Sequence, residues 1–254
     1  MDFYQALISI LASVSLSVLS NFIVLRRYSL IGDAFSHVAL PGVALALALS
    51  FDIFWGALIF LILGAIFIYL IEKKTSFYLE SLVGFVFLFS LALGKIFIKD
   101  EELIESLFGN IKSTSTNDLI LAILVLFLIL GALFKFKKEF ILITFSEDLA
   151  ANYRINKHRV NFIFLFLVSL AISLGIKIVG ILLVGSYLVI PPLFGMLFAK
   201  SLNKLILITG FYGFLTSFIS VLLSNYFEFG PTLVLVQSIF FFLGFLFKNL
   251  FKNI

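Results

Sequence analysis

Nine apolar blocks take up most of this 254-residue chain, at about residues 4–25, 30–49, 53–71, 79–97, 118–136, 160–178, 179–199, 205–224 and 231–247. Most are about 17 to 22 residues long, the length an α-helix needs to cross a hydrocarbon layer of roughly 30 Å. Inside lipid every backbone N–H and C=O must find its partner within the element or within a closed barrel. Strand-type alternation is missing, so a β-barrel is set aside. The fold expected is an all-α polytopic membrane bundle of about eight or nine transmembrane helices, forming a single domain over residues 1–254. Composition agrees: the chain is 62% hydrophobic and 13% charged, whereas a soluble protein carries about a quarter charged residues. No stretch pairs a short apolar core with a small-residue cleavage site, so the first block is expected to be retained. With no cysteine, disulfides and thiolate metal ligands are excluded.

The basic residues test the list of blocks, because every second connection of a membrane bundle carries the Lys and Arg excess on its cytoplasmic side. Arg26 and Arg27, Lys73 and Lys74, the group Lys135, Lys137, Lys138, Arg154, Lys157 and Arg159, then Lys200 and Lys204, then Lys248 and Lys252 all sort to one side. The other side receives Asp52, the acidic stretch Asp100, Glu101, Glu102 and Glu105, the single Lys177, and the turn from Asn225 to Gly230. Nine crossings of the cell's cytoplasmic membrane then put the N-terminus outside and the C-terminus in the cytoplasm. The weakest division lies between 160–178 and 179–199, where Lys177 and Gly180 are the only break; a bent or re-entrant arrangement there leaves eight crossings. These basic loops account for the formal charge of +4, so no nucleic-acid partner is called for.

One apolar stretch holds a carboxylate and an imidazole: GDAFSHVALPG, from Gly32 to Gly42. On a helix Asp33 and His37 stand at i and i+4, on one face, close enough to hold one ion. Ionisable groups at membrane depth are expensive and mark function by default. Both are good ligands for a divalent transition metal. The competing reading is a helix-capping Asp and a His bonded to a carbonyl. The second histidine, His158, sits between Lys157 and Arg159 and is expected to be simply solvated. One chain thus offers two ligands, and a two-fold dimer brings two carboxylates and two imidazoles together. Oxygen and nitrogen donors without sulfur suit manganese, zinc and ferrous iron about equally. Pro41 removes the donor for a carbonyl one turn back, so a bend near His37 is expected. Pro191 and Pro192 are expected to mark a similar break. The pairs Gly42 with Ala46 and Ser13 with Ser17 read as small-xxx-small contacts that let helices approach closely.

Other chemistry is missing. Gly180 to Ser186 has the glycine spacing of a phosphate-binding loop, but Ser186 follows Gly185 where a Lys is needed. There is no HExxH and no nucleophile elbow, so catalysis within this polypeptide is not expected. The longest basic connection, from Lys135 to Arg159, contains Phe145-Ser-Glu-Asp-Leu-Ala-Ala-Asn-Tyr-Arg-Ile155, which opens like a helix start and reads as a short amphipathic helix. Such a helix either rests in the lipid interface or docks a soluble partner.

GDAFSHVALPGVALA (Gly32 to Ala46), LFGNI (Leu107 to Ile111), SEDLAANYRI (Ser146 to Ile155), VGILLVGSYLVIPP (Val179 to Pro192) and GPTLVL (Gly230 to Leu235) follow one another in an order that resembles the permeases of metal-uptake ABC transporters. That family handles zinc, manganese or ferrous iron. The first and fourth motifs are the specific ones. The resemblance implies a homodimeric permease, an ATPase subunit on each cytoplasmic face, and an extracytoplasmic metal-binding protein that delivers the cargo. It implies no permanently bound cofactor, only the transported divalent metal. It gives Asp33 and His37 as lining the metal path. It makes 146–155 a coupling helix, with Glu147, Asp148, Leu149, Ala150, Ala151 and Tyr153 meeting the ATPase. The family's coupling segment usually ends in a Leu-Gly pair, where this chain has Asn152-Tyr153. The implied mechanism is alternating access driven by another subunit. A protonated imidazole does not bind metal, and with a reference pKa of about 6.5 His37 ties transport to pH: mild acidification is expected to lower it more steeply in the parent than in His37→Gln. A self-sufficient metal/proton carrier would need more intramembrane carboxylates, and a non-transporting scaffold would tolerate loss of Asp33 and His37.

Overall fold

The computed structural model describes residues 2–26, 29–75, 77–97, 115–145, 147–251. The LFGNI segment at Leu107 to Ile111, the acidic residues 100–105, Arg27, Ser146 and Lys252 lie outside them.

The described residues form twelve helices: α1 Phe3–Leu25, α2 Ser29–His37, α3 Leu40–Ala48, α4 Ile53–Lys74, α5 Leu79–Phe97, α6 Thr116–Lys135, α7 Lys137–Phe145, α8 Glu147–Asn152, α9 Lys157–Val179, α10 Ile181–Phe198, α11 Leu202–Leu223 and α12 Phe229–Phe251. Seven of these, α1, α4, α5, α6, α9, α11 and α12, are long and apolar enough to cross a membrane. The two remaining apolar blocks of the sequence, 30–49 and 179–199, correspond to the broken pair α2–α3 and to α10. Two of the long helices begin with side-chain caps: at α4 Asp52 accepts from Phe54 N–H at 2.8 Å, and at α9 Asn156 accepts from Arg159 N–H at 3.1 Å.

Two helices make the centre. Of the apolar stretches of α1 and α9, 72% and 78% are buried, against 22% for α6, whose large side chains mostly face outward. Residues such as Leu124, Phe127 and Phe134 on α6, and Leu207 and Phe211 on α11, form that exposed apolar surface, which suits a protein whose solvent is lipid. α1 packs on α6, α9, α10 and α11; α9 packs on α4; α10 lies among α1, α2, α11 and α12; and α3 lies on α4 and α5.

Small and hydroxyl residues govern these crossings. Ser9, Ser13, Ser15, Ser17 and Ser20 on α1 are fully buried. Ser13 Oγ donates to the Gly213 carbonyl on α11 at 2.7 Å, and a Cβ at Gly213 would lie 2.4 Å from Ser17 Oγ. Asn21 Nδ2 donates to Thr209 Oγ1 at 2.7 Å. At the α3–α4 crossing, a Cβ on Gly42 would fall 2.0 Å from the Gly56 carbonyl oxygen, and one on Gly56 2.8 Å from Ala46 Cβ. Both small-residue pairs read from the sequence therefore sit at helix crossings.

The division between α9 and α10 is a single residue. Gly180 has φ 88° and ψ 165°, a region open essentially to glycine alone. The turn brings Val184 onto Gly175, where a Cβ would lie 2.5 Å from Val184 Cγ2. Two sequence expectations need correction. Pro191 and Pro192 do not break α10, which runs through both to Phe198. The connection between α6 and α9 is not simply a loop with one short helix: α7 fills its first half and buries Phe140 completely against Phe22, Phe136 and Phe164.

Candidate functional site

α2 ends in a tight turn. Val38 N–H donates to the Phe35 carbonyl at 3.1 Å and Ala39 N–H to the Ser36 carbonyl at 3.2 Å, the shorter i to i−3 pattern that closes a helix. α3 then begins with Pro41 in its first turn, where its missing N–H is least costly. The expected bend near His37 is thus present, and the His37 carbonyl has no donor at position 41.

The same geometry sorts the faces of α2. Phe35 and Ser36 are fully buried, while Asp33 is exposed and His37 partly so. Asp33 leans on α10: a Cβ on Gly185 would stand 2.5 Å from Asp33 Oδ1. One turn further along α10, Leu188 Cδ1 would meet a Cβ on Gly32 at 3.1 Å. The His37 ring lies 5.5 Å from that of Phe87, tilted by 57°. Its Nδ1 is buried and, among the described residues, has no hydrogen-bond partner. A carboxylate and an orphaned imidazole nitrogen on one face are donors a divalent cation can use. Among the described residues no three His, Asp or Glu side chains gather as a metal cage.

The segment 147–152 is helical and ends as a Schellman motif. Arg154 has φ 57°, its N–H donates to the Ala151 carbonyl at 2.8 Å, and Ile155 N–H donates to the Ala150 carbonyl at 3.0 Å. Ala150 is buried, whereas Leu149 and Tyr153 are exposed, and Lys138 Nζ lies 4.9 Å from the Tyr153 ring centre. Ala151 is exposed as well. The helix therefore turns an apolar and aromatic face away from the bundle.

Two polar clusters, neither anticipated as a unit, close the ends of the bundle. At one end Lys177 Nζ meets Asp52 Oδ2 at 2.5 Å and Asp118 Oδ1 at 2.6 Å. At the other, Arg26 Nη1 donates to Asn161 Oδ1 at 3.1 Å, Asn161 Nδ2 donates to Glu72 Oε1 at 2.9 Å, and Arg26 Nε donates to Thr144 Oγ1 at 3.3 Å. His158 is not merely solvated: its Nδ1 lies 3.6 Å from Glu72 Oε2. Arg26, read from sequence as a loop cation, is only 7% exposed, and Glu72 only 5%. The signal available was the polar residues Glu72 and Asn161 close to block ends. Asp52 caps the start of α4 and Glu72 lies near its end, so the two clusters are separated by about 30 Å of helix. They fall on the two sides into which the basic and acidic connections had sorted.

These features define a polytopic helical membrane protein, with one broken helix bearing an acid and a histidine and a short helix with exposed apolar side chains at one end. The chain belongs to the ABC 3 transport family, whose model matches residues 3–248. It is 32% identical over 245 residues to the manganese transport system membrane protein MntC of Listeria innocua serovar 6a, covering 94% of this chain and 88% of that one. It is 29% identical over 247 residues to the high-affinity zinc uptake system membrane protein ZnuB of Buchnera aphidicola subsp. Baizongia pistaciae, covering 94% and 95%. Among solved structures, PsaBC from Streptococcus pneumoniae in complex with Fab has a chain that matches with a TM-score of 0.82 and 28% identity, covering 96% of this chain and 92% of that one.

Proposed function

We propose that this chain is the permease subunit of an ATP-driven importer of a divalent metal, manganese or zinc before ferrous iron, working as a homodimer with a separate ATPase and an extracytoplasmic metal-binding protein. The observation that carries the reading is the face of α2, where Asp33 stands exposed beside Gly185 and the buried His37 Nδ1 has no other partner among the described residues. Relatives named for manganese and zinc transport support the choice of cargo. Two copies related by a two-fold axis supply two carboxylates and two imidazoles, enough for a four-coordinate ion or one completed by water. The metal enters from the side of Asp52 and Lys177, is held at Asp33 and His37, and leaves toward the side of Arg26 and Glu72.

Coupling to ATP falls to 147–153. The exposed Leu149, Ala151 and Tyr153 are the surface a groove on the ATPase would cover, and buried Ala150 seats the helix on the bundle. Glu147 and Asp148 belong to the same helix. Nine crossings, with the pair α2–α3 and α10 counted as two, put this surface in the cytoplasm and the N-terminus outside. The secondary-carrier alternative lacks support, since the buried carboxylate Glu72 is taken up by Asn161.

The test is uptake of radioactive manganese, zinc and iron into proteoliposomes carrying the permease with its cognate ATPase and binding protein. Asp33→Ala and His37→Ala are expected to abolish uptake while the complex still assembles and binds ATP. Undiminished uptake by both variants refutes the metal path, and uptake indifferent to ATP refutes the importer.

A further inference from the structure

Arg26 stands where three parts of the molecule come together. In the sequence it stands three residues before Ser29, where α2, the helix of Asp33 and His37, begins. Its Nε donates to Thr144 on α7, which ends at Phe145, two residues before 147–152 begins in the sequence. Its Nη1 donates to Asn161 on α9, which passes the link to Glu72 on α4. The guanidinium also lies 4.6 Å from the Phe164 ring centre and 5.5 Å from that of Phe140, the residue that plugs α7 into the bundle.

A buried cation and a buried carboxylate bridged by one amide demand close geometry, because the low dielectric penalises any loosened partner. Aliphatic side chains would hold the helices together without that demand. What the polar network adds is directionality: the Thr144 hydroxyl and the Phe140 ring of α7 both meet the same guanidinium, which Asn161 and Phe164 hold on the central helix α9.

We infer that Arg26 is a positioning residue that transmits movement of the ATPase-facing segment 137–152 to α2, and so sets whether Asp33 and His37 hold or release the metal. This rests on the importer reading above. Thr144 is its sensor of α7, and Asn161 with Glu72 is its fixed seat.

The chain has no cysteine, so Ala34→Cys gives a single label beside Asp33. The full complex in proteoliposomes is assayed for Mn2+ imported per ATP hydrolysed and for the maleimide labelling rate at position 34 with and without ATP and vanadate. Arg26→Gln is expected to leave ATP hydrolysis within about twofold of the parent, to lower Mn2+ imported per ATP by about tenfold or more, and to erase the nucleotide-dependent difference in labelling. Arg26→Lys, which keeps the charge but donates from one point, is expected to recover part of both. Thr144→Val, which removes only the hydroxyl at equal volume, is expected to weaken both without loss of the assembled complex. Parental uptake per ATP and a parental labelling response in Arg26→Gln overturn the inference. So does failure of Arg26→Gln, Arg26→Lys and Thr144→Val alike through loss of assembly, which makes the network purely structural. A parent that labels in response to nucleotide yet imports none of Mn2+, Zn2+ and Fe2+ refutes the importer reading instead.

Discussion

A methyl group on Gly185 would fall 2.5 Å from Asp33 Oδ1, so the least intrusive substitution in α10 acts directly on the α2 carboxylate. If Asp33 holds the metal as proposed, Gly185→Ala is expected to push it off its present rotamer and raise the KM for Mn2+ uptake by about tenfold, the size of effect that loss of an orienting neighbour has on metal ligands. The thermal unfolding midpoint in detergent is expected to stay near that of the parent; a large drop in it together with unchanged KM would contradict the assignment. Asn161→Leu acts in the opposite way. It leaves the carboxylate of Glu72 buried without its amide donor, and the expected loss of stability is about 2–3 kcal/mol, measured by denaturant or thermal unfolding. Asp33 and His37 were readable in the sequence because an acid and a histidine four apart stand out in an apolar run. Gly185 was not, because a glycine's partner across a helix crossing leaves no trace in local spacing. Arg26 was misread for a related reason: a cation at a block's end is a loop residue by pattern, and only the arrival of Asn161 and two phenylalanine rings buries it.

Among elements, the turn at Gly180 joins two apolar helices with no connecting loop. Its φ of 88° and ψ of 165° lie where any Cβ is strained, so Gly180→Ala is expected to lose on the order of 1–3 kcal/mol in unfolding experiments. The α3–α4 crossing is tighter still. Gly42→Ala would drive a Cβ to 2.0 Å from the Gly56 carbonyl oxygen, so the helices must separate, with an expected loss of about 1–3 kcal/mol. Extents of the long helices were legible to within a few residues, because hydrophobic length is set locally. The break between α2 and α3 was also anticipated, since Pro41 removes a donor wherever the helix lies. Pro191 and Pro192 misled for the same local reason: packing of α10 against α1, α2, α11 and α12 keeps a helix running where isolated propensity would end it. α7 was missed because nothing in KKEFILITF says that Phe140 finds a pocket of three aromatic rings.

At the scale of the whole molecule, the two polar clusters mark two ends, and the excess of basic residues at the end of Arg26 and Glu72 is the ground for proposing that this end faces the cytoplasm. The chain's lack of cysteine makes that orientation directly measurable. In cells, an impermeant maleimide added outside is expected to label Tyr226→Cys, where the parent tyrosine is highly exposed, and to leave Thr75→Cys unlabelled until the membrane is opened. The reverse pattern would invert the bundle and with it the direction assigned to the metal path.

Hydrophobic length, the alternation of charge between connections and the pairing of Asp33 with His37 are properties of neighbouring residues, so the sequence alone determined a polytopic helical bundle, its division into two faces and its candidate ligands. Contacts between residues far apart in the chain decided the rest. Gly185 beneath Asp33, Gly42 against Gly56, Ser13 against Gly213, and the link from Thr144 through Arg26 and Asn161 to Glu72 join positions separated by up to 200 residues. In a bundle whose helices are all comparably apolar, hydrophobicity does not specify which surfaces meet; close approach of small residues and the satisfaction of buried polar groups do, and those exist only once the helices are packed.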